Sequence, residues 1–194
     1  MKVALAQLSY IPGDIAYNKS KILNALEEAR RQGADLAVFS ELAVTGYPPL
    51  DLLLRSDIID SSMAAIREIA THCNGIAAIV GGPSPNTGEY GKSLYNSAFF
   101  LQEGKINAVV NKALLPTYDI FDEDRYFKAG NTFRPVELNG QKIAVTICED
   151  IWDEQPFGDR GLWRLYSVAP LDEIMRQHPS LIINIAANPF SHNR

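Results

Sequence analysis

An α/β fold with helices covering sheet is predicted from three observations on the 194 residues. Segments with apolar residues at helical spacing alternate with short continuous apolar runs of strand length. Asn139-Gly140, flanked by apolar segments, marks a tight hairpin, because both residues tolerate positive φ. A composition of 46% hydrophobic and 21% charged residues belongs to a globular chain, and one this long buries roughly 70% of its unfolded surface. One domain is expected.

The opening apolar run, Met1 to Ala6, is broken by Gln7 and is too short for a signal-peptide core. Ile22, Leu23, Leu26 and Ala29 then predict a helix over 18–32, with Asp14 or Asn18 as cap and Gly33 as stop. Asp35 to Ser40 is a buried strand that ends directly at Glu41. Ile59, Met63, Ile66 and Ile69 mark a second helix closed by Asn74-Gly75, and Ile76 to Val80 is the next strand. Gly82 to Lys92, rich in Pro and Gly, reads as a loop.

After that loop the rhythm turns to hairpins. Tyr95–Leu101 and Ile106–Val110 flank Gln102 to Lys105, and Phe133–Leu138 and Lys142–Ile147 flank Asn139-Gly140. Leu171, Ile174 and Met175 form a short helix before Pro179, and Leu181 to Ala186 is a last buried strand.

Eighteen Lys and Arg against 23 Asp and Glu give a net charge of −5, which argues against a nucleic-acid or polybasic membrane partner. No stretch approaches the roughly 20 apolar residues that cross a bilayer. Two cysteines, Cys73 and Cys148, make no disulfide framework and point to a reducing cytoplasm. Asn86 to Ser93 imitates a phosphate loop, but it has Asn where the first Gly belongs and leads into a strand, so it is rejected as a nucleotide site.

Three polar residues stand where strands end, the usual place for ligand sites in α/β sheets: Glu41, Lys112 and Cys148. A reactive Cys148 needs a base and a cation, since Glu149 and Asp150 follow it directly. His72, His178 and His192 lie at no strand-to-loop transition, so a Cys/His pair fits poorly. A carboxylate in a partly dry pocket can replace the histidine, which makes Glu41 the candidate base. Lys112 supplies the positive charge for a thiolate and then for an oxyanion. Each residue also fits an ordinary role: a solvated strand-end acid, a surface lysine and a small apolar Cys. Chain spacing does not decide, because the three meet only in three dimensions.

The words around these residues carry a resemblance. Glu41 to Leu53 (ELAVTGYPPLDLL), Lys112 to Phe127 (KALLPTYDIFDEDRYF) and Cys148 to Trp152 (CEDIW) resemble the nitrilase superfamily, and within it the glutaminase domains of glutamine-dependent NAD synthetases. That resemblance implies a nitrilase-like α-β-β-α sandwich over 1–194, incomplete at its C-terminal end. It implies Glu41 as general base and then acid, Lys112 as electrostatic stabiliser and Cys148 as the nucleophile that forms a thioester with glutamine. It places the Glu149 backbone N–H in the oxyanion hole and puts Tyr47, Tyr118, Phe121 and Glu123 around the pocket, Glu123 meeting the substrate ammonium. Asn188 stands where the family more often has Ser before Pro-Phe, and Arg194 falls near its carboxylate-binding basic residue.

The resemblance further implies a separate synthetase domain of the same parent chain, which uses ATP and magnesium to amidate deamido-NAD. Its Ser-Gly-Gly phosphate loop is absent from these 194 residues, where no metal site or cofactor is expected. A homo-oligomer is expected as well. The alternatives are a stand-alone nitrilase-type amidase and a non-catalytic assembly module.

Overall fold

The computed structural model describes residues 1–152 and 166–188. Five strands form the first sheet in the order β1 (Val3–Leu5), β2 (Leu36–Val38), β3 (Ala77–Pro85), β4 (Leu94–Gln102) and β5 (Lys105–Asn111). The first three run parallel, and β4 and β5 are antiparallel additions. Helices α1 (Ile15–Arg31) and α2 (Ser56–Thr71) are the crossovers between the parallel strands. A second sheet holds β6 (Val136–Leu138), β7 (Gln141–Ile147) and β8 (Leu181–Ile185), with β7 and β8 parallel.

Side-chain alternation divides the core into layers. Ala37, Phe39, Ala78, Val80 and Phe99 meet Ile22 and Leu26 of α1 and Ile66 and Ile69 of α2. Their neighbours Leu36, Val38, Ala77, Ile79 and Phe100 face the other way, onto Ile143, Val145 and Ile147 of β7 and Ile183 and Ile185 of β8. Covering on both faces explains why these strands read as unbroken apolar runs. The short helix α3 (Pro170–Met175), with Ile174 buried, packs against β7 of the second sheet. The layer order is therefore α, β, β, α. Among the described residues no helix is long and apolar enough to cross a membrane.

Several boundaries differ from expectation for identifiable reasons. Helix α1 starts at Ile15, not residue 18: Asp14 is the cap and accepts from the Tyr17 N–H at 3.0 Å. The rival cap, Asn18, is fully buried and fastens two loops, bonding both backbone groups of Ile11 and the Val44 carbonyl. The expected loop at Gly82 begins instead as strand, with Gly82 to Pro85 paired to Ser97 to Leu94. Strand β2 has ended by then, its last pair being Val38 with Ile79, so Pro83 and Pro85 need a partner on one side only. Strand β6 is shorter than predicted and begins at Val136. The Asn139-Gly140 turn forms as predicted, with φ of 51° and 73°, and Glu103-Gly104 makes a second tight turn, with φ of 51° and 74°.

Gly81 sets the path of the chain after β2. A Cβ there would lie 2.3 Å from the Ser40 carbonyl oxygen and 2.8 Å from Glu41 Cα. Gly81→Ala is expected to destabilise the fold by about 1–3 kcal/mol through overpacking against backbone. Urea unfolding monitored by circular dichroism checks this, and an unchanged midpoint would mean that the Glu41 segment yields freely.

Candidate active site

Four strands deliver the site from their C-terminal ends. Glu41 lies just beyond β2, Lys112 follows the last residue of β5, Cys148 follows the last residue of β7, and Ala187 lies just beyond β8. Lys112 Nζ sits 2.8 Å from Glu41 Oε1 and 2.7 Å from Glu123 Oε1. Glu41, Lys112 and Glu123 are 1%, 0% and 6% exposed, so this is a dry ion cluster. The Ala187 N–H donates to Glu41 Oε2 at 3.0 Å, tying the second sheet to the first.

Cys148 occupies the left-handed region with φ 49°, which turns the chain out of β7 into a 3-10 turn over Cys148–Ile151. The two following acids do not combine against the sulfur. Asp150 turns inward and accepts from the Ala113, Leu114 and Ile147 backbone N–H groups at 2.9, 2.8 and 3.3 Å. Those bonds clamp the residues after Lys112 to the Cys148 turn, and burial raises the Asp150 carboxyl to about 6. Glu149 accepts from the Tyr118 hydroxyl at 2.8 Å and the Tyr166 hydroxyl at 2.9 Å.

The charge balance follows from burial. Desolvation opposes the Lys112 charge, but Glu41 and Glu123 overcome it and hold the ammonium above its ordinary range. Burial raises Glu123 to about 7 against the pull of Lys112. The Cys148 thiol is pushed up to about 12, by burial first and then by Glu41, with Lys112 opposing. Burial and the Glu41 charge thus favour the neutral thiol of Cys148 over its thiolate.

The structure brings the other predicted residues to the same end of the sandwich. Tyr47, Phe121 and Glu123 line one cleft with Leu42, Leu53 and Ile120, whereas Cys148 stands outside that cleft. Phe121 packs edge-on against Tyr118, with ring centroids 5.7 Å apart. The charges of Glu123 and Glu41 act on the Tyr47 phenol, which burial holds above its ordinary range. Asn188 Oδ1 lies 3.9 Å from Cys148 Sγ, a weak sulfur contact. Arg194 lies outside the described residues. The Glu123 carboxylate, expected to meet a substrate ammonium, gives Oε1 to Lys112 at 2.7 Å and Oε2 to the Asn96 amide at 3.4 Å.

Sequence reasoning missed two side chains. Asn96, fully buried in β4, donates from Nδ2 to Glu41 Oε1 at 2.7 Å. Its signal was a polar residue inside the apolar run Tyr95 to Leu101. Tyr166 gave no signal, because nothing in its surroundings tied it to Glu149, 17 positions earlier.

The sequence profile of the carbon-nitrogen hydrolase family matches residues 2–155. The glutamine-dependent NAD(+) synthetase of a Synechocystis species is 39% identical over 193 residues, covering 97% of this chain and 34% of that protein. Its Aquifex aeolicus counterpart is 34% identical over 100% of this chain and 31% of that protein. The chain thus spans about a third of the length of the curated relatives it matches. Among solved structures, the glutamine-dependent NAD+ synthetase of Acinetobacter baumannii superposes with a TM-score of 0.83 at 33% identity, over 97% of this chain and 32% of that one. An amidase from Nesterenkonia gives a TM-score of 0.78 at 23% identity, over 100% of this chain and 69% of that one, a likeness of fold.

Proposed function

The chain belongs to the carbon-nitrogen hydrolase family, and from that premise we propose that it hydrolyses the side-chain amide of glutamine to glutamate and ammonia through a thioester on Cys148. The observation that carries the reading is Lys112 held between Glu41 and Glu123 at 2.8 and 2.7 Å, with Cys148 at the end of β7 in the second sheet. Glutamine as the amide is supported by the relatives, which are named for their dependence on it.

The steps balance as follows. Glu41 takes the Cys148 proton as sulfur attacks the amide carbon, and the carbonyl electron pair moves to oxygen. The Lys112 ammonium and the Glu149 backbone N–H stabilise that oxyanion. Glu41 returns the proton to nitrogen, the C–N bond breaks and ammonia leaves. Water, deprotonated by Glu41, then attacks the thioester, glutamate departs and the sulfur recovers a proton. With Glu123 engaged by Lys112, the acid available to the substrate ammonium is Glu149, whose carboxylate Tyr118 and Tyr166 hold at the site. Tyr47 and Phe121 form the cleft wall, and Asn188, beside Cys148, adds a polar contact for the substrate. The ammonia is destined for a synthetase domain of the parent protein, where ATP and magnesium serve amidation of deamido-NAD.

The purified chain incubated with glutamine is expected to release glutamate and ammonia in equal amounts. Acid quenching should trap a glutamyl adduct on the Cys148 peptide, read by mass spectrometry. Glutamine left intact while a simple aliphatic amide is consumed would transfer the reading to a general amidase.

A further inference from the structure

Glu41 has two carboxylate oxygens, and the structure treats them differently. Oε1 receives the Lys112 ammonium at 2.8 Å and the Asn96 amide at 2.7 Å, whereas among the described residues Oε2 receives only the Ala187 N–H at 3.0 Å. A carboxylate oxygen has two lone-pair directions, so Oε1 is filled and Oε2 keeps one open. The geometry points to Asn96 as a positioning residue that fills the Oε1 side of Glu41 and leaves Oε2 as the atom that takes the Cys148 proton. This deepens the thioester reading and rests on it.

Asn96 is built into every part of the cluster. Its backbone carbonyl accepts the Lys112 N–H at 2.8 Å, which fixes the start of the lysine segment. The same Nδ2 that holds Glu41 reaches Glu123 Oε2 at 3.4 Å, so one amide spans both carboxylates. Its Oδ1 is buried with no hydrogen-bond partner among the described residues. An orphaned buried carbonyl costs roughly 1–3 kcal/mol, a cost that an apolar residue in β4 would not carry. The amide orientation is forced, because turning Oδ1 toward two carboxylates would set acceptor against acceptor.

Lys112 alone does not fix the base. Its Nζ is a point charge that binds either oxygen of a rotating carboxylate equally well, whereas a second donor on the same oxygen, opposed by Ala187 on the other, removes that freedom. The charged and titratable groups facing the two carboxylates are Lys112 from the end of β5, Cys148 from the turn after β7 and Tyr47 from a surrounding loop, with Glu149 and Tyr118 acting in turn on Cys148. None of them replaces a neutral donor to Oε1.

The test reads Cys148 directly, so it does not depend on glutamine turnover. Alkylation by iodoacetamide is followed against pH, with Cys148 and buried Cys73 resolved by peptide mass. In the wild type, reactivity should rise through an inflection near pH 7, as Glu123 ionises and draws Lys112 from Glu41, leaving Oε2 free to receive the thiol proton. Asn96→Ala removes a hydrogen bond to the charged form, which moves that inflection up by about one pH unit and slows alkylation at neutral pH roughly tenfold. Asn96→Asp, nearly isosteric, adds a third carboxylate and should move it further; it decides the matter if the Ala variant does not fold. Ser62→Ala, which deletes another fully buried polar group without a hydrogen-bond partner among the described residues, should leave the profile unchanged. Folded Asn96 variants with the wild-type profile would overturn the assignment. If the wild type alkylates as described yet releases no glutamate, the glutamine reading fails and the role of Asn96 stands.

Discussion

Cys148→Ala is expected to leave the sandwich folded and to reduce glutamate release by on the order of 10⁶-fold. The structural loss is small, because Cys148 lies at the end of β7, only partly buried against the core between the sheets, and its one hydrogen-bond contact among the described residues is the weak one to Asn188 at 3.9 Å. Alanine accepts the left-handed backbone of Cys148, φ 49°, no worse than cysteine does. The unfolding free energy should shift by about 1 kcal/mol or less. The chemical loss is complete, because a methyl group cannot form the thioester. Serine at this position would fare little better: an alkoxide is formed less readily than a thiolate, and this site already raises the thiol to about 12. Parallel circular-dichroism melts and glutamate assays check the prediction. Turnover at the wild-type level in a folded Cys148→Ala variant would end the covalent route.

Lys112→Met should damage both the fold and the chemistry. Methionine nearly matches the lysine stem in volume, so packing is retained and the change isolates the charge. What remains is Glu41 facing Glu123 with no cation between them, both almost without solvent. Breaking one side of a buried ion cluster costs about 3–5 kcal/mol, because the remaining charge is left uncompensated. The effect carries a pH signature. Glu123, raised to about 7 from an ordinary 4.5, contributes stability that is complete below 4.5 and is lost as pH rises through 7. Lys112 holds that value down, so without it the repulsion between ionised carboxylates grows with pH. Urea unfolding should show a larger deficit at about pH 8 than at about pH 5. Loss of the ammonium also strips the oxyanion of one stabilising charge, a further 10²–10³-fold in turnover. A deficit independent of pH would show that the two acids do not interact as the geometry states.

Much of this was legible in the sequence where local rules act alone. The crossover helices declared themselves through Ile22 and Leu26 and through Ile66 and Ile69, all of which face the first sheet. Asn139-Gly140 named its own turn. The positions of Glu41, Lys112 and Cys148 after apolar runs identified strand ends, and the structure gathers those ends at one side of the sandwich. Failures came where a residue's role is set by a distant partner. Asn18 has the chemistry of a cap, and only the Val44 loop, 26 positions away, explains why it is buried instead. Pro83 looked like a breaker because the early end of β2 is invisible from the β3 sequence. Glu123 lines the cleft, but nothing in its own segment shows that Lys112, 11 positions back, also turns toward it. Asn96 carried a faint signal, but its partners at 41 and 123 lie on other elements.

The bond from Ala187 to Glu41 joins positions 146 apart in the chain. Glu41 is thus fully seated only when β8 has paired with β7 and the second sheet has closed on the first. Competence to hydrolyse should be among the last properties gained in refolding and the first lost when the β8 edge opens. Hydrogen exchange at the Ala187 amide then becomes a local gauge of that opening, reporting loss of the base while the β3–β4 core stays protected.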